Sequence, residues 1–136
     1  MATLSFKIVT PENEVFNEEV EMVTLTTRDG EIGILPHHTN LMSQVVAGEM
    51  RIKKGGKEIV MATGSGLLQM ADNKLTLATD LAEKAEDIDE KSVEEARKRA
   101  EAALEQTQTN EEYATAMASL EKALAQLKVK RHHKSG

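Results

Sequence analysis

The sequence predicts an α+β protein: an N-terminal antiparallel β-sandwich, or flattened barrel, over residues 1–85, then a C-terminal antiparallel two-helix hairpin over residues 86–136. Three observations predict this. Over the first eighty or so residues, apolar side chains recur at every second position in short runs, with a turn signal between runs. From about residue 88 they recur every three to four positions, the period of a helix. The link between the two helical stretches is short, so they fold back on one another.

The elements follow in chain order. Leu4, Phe6 and Ile8 alternate with Ser5 and Lys7, a half-buried first strand. Thr10-Pro11-Glu12-Asn13 is a turn. Val20 and Met22 then alternate with Glu19 and Glu21, after which the phase flips to Val23 and Leu25. A period-2 pattern that changes phase implies a bulge, or a strand passing from one sheet to the other.

The segment Gly30-Glu31-Ile32-Gly33-Ile34-Leu35-Pro36-His37-His38 is the most unusual in the chain. Asp29-Gly30 signals a turn, because glycine accepts positive φ without a Cβ clash. Ile32 and Ile34 flank Gly33, so a short strand with one bare face follows. A bare glycine there would let another backbone or another subunit approach. Pro36 denies the sheet a donor and ends the strand.

Leu41-Met42 and Val45-Val46 come next, and then Met50 and Ile52 alternate with charged neighbours. Lys54-Gly55-Gly56-Lys57 is a hairpin turn, with Ile59 and Met61 on the return strand. Gly64-Ser65-Gly66 breaks that strand and Leu67-Leu68-Gln69-Met70 resumes. Ala71-Asp72-Asn73 turns once more into Leu75 and Leu77.

In the helical half, Asp89 is an N-cap, with Ile88 and Val93 placed as a hydrophobic staple. Val93, Ala96, Ala100, Ala103 and Thr107 line one face of the first helix. Gln106–Thr109 ends it and Asn110 caps the next. Tyr113, Met117, Leu120, Leu124 and Leu127 repeat at spacings of 4, 3, 4 and 3, a heptad-like seam. A hairpin joining alanine and leucine stripes is only marginally stable alone, so it needs the sandwich or a partner to hold one arrangement.

Composition narrows the function. Net charge is −6, which disfavours nucleic acid as a partner, since phosphate binding needs positive surface. There is no cysteine, hence no disulfide, thiolate metal site or cysteine nucleophile. Aromatics are 2% of residues, so the core must be aliphatic and methionine-rich. No apolar run approaches the roughly 20 residues of a membrane span, and Lys7 interrupts the N-terminal run where a signal peptide would lie. Any membrane association is expected to be through partners. Charge is also unevenly placed: residues 81–112 carry 11 acidic and 5 basic side chains, residues 113–136 carry 1 and 5. The C-terminal end is a positive patch on an acidic protein. It is either a solvated helix end favoured by the helix dipole or a docking site.

No catalytic constellation appears. Gly64-Ser65-Gly66 lacks the Lys-Ser/Thr of a P-loop and the full frame of a nucleophile elbow, and reads as a structural kink. His37-His38 and His132-His133 are adjacent pairs, a poor chelate on a strand because neighbours point to opposite faces, so no metal site is expected. The second pair falls in a polar, frayed tail. Two classes survive from the residues alone: an interaction or regulatory subunit whose movable hairpin has a basic end, and a small-ligand binding module.

The chain resembles a known family, the epsilon subunit of the bacterial F-type ATP synthase. Gly30-Glu31-Ile32-Gly33-Ile34-Leu35-Pro36 with His38 looks like that family's signature loop. Ile8-Val9-Thr10-Pro11 is similar to its first strand, Gly64-Ser65-Gly66-Leu67-Leu68 to its kinked strand, and Ala82–Asp89 to its linker into the helices. The resemblance implies a non-catalytic rotor subunit of a proton-driven machine. Its sandwich would bind the gamma subunit and sit on the membrane c-ring, with Glu31, Gly33 and His38 in that interface. Its helices would fold down on the sandwich or extend along gamma and restrain ATP hydrolysis. Lys122, Lys128, Lys130 and Arg131 are then the candidates for contact with an acidic segment of the catalytic beta subunit. The implied location is peripheral, on the cytoplasmic side of the bacterial plasma membrane. No cofactor is expected, with regulatory ATP the one ligand left open. Some members bind ATP through an Ile/Leu-Asp-x-x-Arg-Ala motif, of which Ile88 and Asp89 match while Ser92 and Val93 replace Arg-Ala. Glu83 and Arg99 match positions linked to that site. Without the motif's guanidinium a charge-assisted phosphate contact is lost. The chain also departs from the family at His37, commonly glycine, and at Asn40, often proline.

Overall fold

The computed structural model describes residues 2–135. Ten strands precede two helices: β1 (Leu4–Val9), β2 (Glu14–Val20), β3 (Met22–Thr27), β4 (Gly30–Ile34), β5 (Leu41–Val45), β6 (Gly48–Lys54), β7 (Lys57–Thr63), β8 (Gly66–Ala71), β9 (Lys74–Thr79) and β10 (Ala82–Lys84). A single 3-10 turn, Ala85–Asp87, leads into α1 (Glu90–Glu105) and α2 (Asn110–Ser135). Gly136, the last residue of the expected hairpin, lies outside the described residues.

The strands form two facing layers, β4-β3-β6-β7-β10 and β5-β8-β9-β1-β2. They join where Thr27 of β3 pairs with Val45 of β5. The phase flip is the corner: Val20 ends β2 in one layer, Val23 is buried in β3 of the other, and Glu21 is the bend between. The expected all-antiparallel sandwich is corrected at one pair, since β1 runs parallel to β9. No tight turn links those two strands, so nothing forces them to run in opposite directions.

Between the layers lies an aliphatic core that includes Leu4, Ile8, Leu25, Ile52, Leu68 and Leu77, with Met50, Met61 and Met70 filling it. Phe6 and Phe16 pack in it with ring centroids 5.8 Å apart at 53°. Gly55 and Gly56 take φ of 59° and 77° in the predicted hairpin turn.

The turn after β4 explains one departure noted above. His38 N–H donates to the Leu35 carbonyl at 3.1 Å, Pro36 stands second and His37 third with φ of 64°. That is the pattern of a type II turn, whose third position favours glycine. A non-glycine residue there is strained by about 1 kcal/mol. We expect His37→Gly to raise stability by about 0.5–1 kcal/mol. The check is a higher urea midpoint at unchanged slope.

Both helices start near the predicted positions. Asp89 precedes α1 in extended conformation, and its carboxylate accepts from the Ser92 hydroxyl at 2.7 Å. Ile88 and Val93 are both buried, as a staple requires. The second cap shifts by one residue: Thr109, not Asn110, accepts from the Glu112 N–H at 3.1 Å. Glu112 in turn accepts from the Gln108 N–H at 3.2 Å, a capping-box arrangement.

The heptad seam is also corrected. Tyr113 and Leu124 stand 53% and 48% exposed, while Ala116, Ala123, Ala125, Leu127 and Val129 are buried. Alanine lets the helix backbone approach the sheet closely, so small residues rather than the leucine row mark the docked face. On α1, Val93 and Ala100 are buried but Ala103 is exposed. Toward its tip the hairpin leaves an open groove of about 820 Å3, lined by Ala96, Arg99, Ala103, Thr107 and Ser119 among others.

Candidate functional site

The hairpin folds down on the sandwich. Ala123, Leu127 and Val129 of α2 bury themselves with Ala62 of β7, Ala85, Ile88 and Val93, and Val60 packs beside them. This explains why β7 is buried on both faces near its end, at Met61, Ala62 and Thr63. An alternating pattern cannot reveal a helix covering the second face, so this docking was not legible from β7 itself.

Polar contacts frame the apolar patch. Lys122 meets Asp80 at 3.1 Å. Gln126 donates to Glu83 at 2.8 Å. The Lys130 ammonium donates to the Ala85 carbonyl at 3.1 Å. Arg131 bridges Glu90 and Glu94 at 3.1 and 3.0 Å. Three of the four basic residues singled out in the sequence are thus engaged within the chain, while Lys128 is exposed beside a groove it shares with Glu31, Glu49, Arg51, Leu124 and His132.

His132 and His133 belong to α2 rather than to a frayed tail. His132 Nδ1 lies 3.1 Å from Glu49, which also accepts from Arg51 at 2.7 Å. Burial pushes the Glu49 carboxyl up, but the bonds from His132 and Arg51 together outweigh it and hold the group below the usual carboxylate range. Glu49 therefore favours the folded state above the ordinary glutamate pKa, and this contribution is lost as acid titrates the folded carboxyl.

Glu31 and Gly33 share the outward face of β4, and His38 lies beyond its end. Glu31 is paired with Arg51 at 3.2 Å. The Gly33 notch is covered from within: a Cβ there would stand 2.7 Å from the Met22 methyl. His38 Nδ1 lies 2.8 Å from the Thr39 carbonyl, so its ring folds onto its own loop.

The four nucleotide candidates are not brought together. Glu83 holds Gln126, Ile88 is buried and Asp89 holds Ser92, which keeps the exposed Asp89 carboxyl acidic. Arg99 lies ten residues further along α1, about 15 Å, in the tip groove. Among the described residues no group of three or more metal-ligating side chains converges.

One surface escaped the sequence reading. The outward positions of β5, β8 and β9 include Met42, Gln44, Leu67, Gln69, Thr76 and Ala78, a run without charge. Met42 is 64% and Leu67 42% exposed. The signal was present, as uncharged alternates in successive strands, in a chain with 29% charged residues.

Comparison with known proteins is consistent along the whole chain. The family model for the ATP synthase delta/epsilon chain β-sandwich domain matches residues 3–85, and that for its long α-helix domain matches residues 86–131. The ATP synthase epsilon chain of Caldicellulosiruptor bescii is 39% identical over 134 residues, covering 98% of both chains. That of Nitratidesulfovibrio vulgaris is 36% identical over 128 residues, covering 94% of this chain and 96% of the relative. Two solved structures share the fold. A chain of the Euglena gracilis mitochondrial ATP synthase has a TM-score of 0.75 at 20% identity, covering all of this chain and 83% of its own. One from the central stalk and c-ring of the Tetrahymena thermophila mitochondrial ATP synthase has 0.65 at 16%, covering 93% and 95%. With both domains matched, and full-length bacterial relatives above a third identical, this chain belongs to the ATP synthase delta/epsilon chain family, among the epsilon chains.

Proposed function

We propose that this chain is the non-catalytic central-stalk subunit that couples the gamma subunit to the c-ring of a bacterial proton-translocating ATP synthase, and that its helices restrain ATP hydrolysis. The observation that carries the reading is the full-length kinship with bacterial epsilon chains, over sandwich and hairpin alike. The uncharged outward face of β5, β8 and β9 suits gamma, because a protein interface buries its centre most readily where no charge must be desolvated. Glu31, Gly33 and His38, at the β4 end, are assigned to the c-ring side. Among the described residues no helix is long and apolar enough to cross a membrane. In this reading the subunit is therefore peripheral, held on the cytoplasmic side of the plasma membrane by the complex.

The brake is the hairpin. Lys122, Lys128, Lys130 and Arg131 are assigned to an acidic surface of the beta subunit once α2 extends. Deleting residues 89–136 should leave a folded sandwich that still co-purifies with gamma. Loss of gamma from that preparation would overturn the two-part assignment. ATP plays no part in this reading, since three of its four candidate residues are already engaged or buried. We expect titration calorimetry with ATP to give no binding at micromolar concentrations, and a micromolar isotherm would favour the ligand-sensing alternative.

A further inference from the structure

The basic side chains of α2 are turned onto the chain's own acceptors. Lys122 is held by Asp80 between β9 and β10, Lys130 by the Ala85 carbonyl, Arg131 by Glu90 and Glu94 of α1, and His132 by Glu49 of β6. Asp80, Ala85 and Glu90 flank the one segment, residues 80–90, on which the hairpin would have to swing. We infer that the folded-down hairpin masks its own grip: Asp80, Glu90 and Glu94 stand in for the carboxylates of the acidic surface that α2 engages when it extends. The inference rests on the restraint assigned above and adds how it is held off.

The chemistry of the switch is then an exchange of counterions. Each cation leaves one carboxylate and meets another, so the number of ion pairs changes little between the two positions. The balance is set by small differences, and an acidic partner surface tips it. Lys128 has no ion-pair partner among the described residues and projects outward. It is the cation placed to meet the partner first. The apolar patch of Leu127 and Val129 sets the strength of docking, whereas the ion pairs set which partner can compete for the helix.

The test neutralises only the internal acceptors, with Asp80→Asn, Glu90→Gln and Glu94→Gln combined in the full chain, leaving every cation in place. Exposed ion pairs shift an equilibrium by about two- to fivefold each at most. Amide exchange across residues 116–129 of α2 should therefore quicken by roughly three- to tenfold, with exchange in β1, β8 and β9 unchanged. Added salt should quicken α2 exchange in the parent chain but not in the variant, because screening acts only on the pairs that the variant lacks. Unchanged exchange in α2, or an equal response to salt in both chains, would overturn the inference. In the assembled catalytic sector the variant should hydrolyse ATP more slowly than the parent, since its hairpin is freer to extend. Faster α2 exchange with unaltered hydrolysis would uphold the masking contacts and overturn the restraint on which the switch acts.

Discussion

Gly66→Ala is expected to destabilise the sandwich by about 3 kcal/mol, at the upper end for overpacking a core. A Cβ at Gly66 would stand 2.1 Å from the Ala78 carbonyl oxygen and 3.0 Å from Thr79 Cα, both backbone atoms of β9. Relief requires β8 and β9 to part, although their pairing runs from Gly66–Thr79 to Ala71–Lys74. Gly33→Ala offers the contrast. Its Cβ would meet only the Met22 methyl, the far end of a flexible side chain, so we expect a loss below about 1 kcal/mol. Urea unfolding of the two variants checks both values. The pair also separates structural from interface glycine, because a stable Gly33→Ala chain that no longer assembles would place Gly33 at a contact. Gly64 stands between the two cases. A Cβ there would lie 2.1 Å from Asp80 Oδ1, so it would push away the carboxylate that holds Lys122.

Leu127→Asp is expected to release the hairpin without unfolding the sandwich. Leu127 is 2% exposed in the patch with Ala62, Ile88 and Val93, and none of these offers a partner for a charge. An unpaired buried carboxylate costs several kcal/mol, so the helix leaves the sheet rather than bear it. The sandwich core, from Leu4 to Leu77, is a separate cluster that does not include any residue of α1 or α2. Amide exchange should show α2 nearly unprotected and the sandwich strands close to their parent values. Simultaneous loss of protection in both parts would mean that hairpin and sandwich fold as one unit.

Local chemistry was legible in the sequence. The glycine pair at 55–56, the corner at Glu21 and the staple of Ile88 with Val93 each depend on residues a few positions apart, and the structure has all three. What depends on distant chain was not legible. Period-2 alternation does not encode strand direction, so the parallel β1–β9 pair could not be read. The heptad row drew attention to Tyr113 and Leu124, but the docked face is set by what the sheet allows, and β7 offers the small Ala62. The basic end of α2 was read as a patch, yet the counterions of Lys122 and His132 lie 42 and 83 residues away along the chain. Nothing in a linear charge count pairs them. His37 is the reverse case, a residue whose place in the sequence was odd and whose positive φ explains the oddness.

The most direct measurement is the ATP hydrolysis rate of a purified catalytic sector containing gamma, compared without this chain, with the full chain and with the chain lacking residues 89–136. The account predicts that both chains bind, that the full chain slows hydrolysis and that the shortened chain does not. Equal rates with the full and the shortened chain, both shown to be bound, would contradict it.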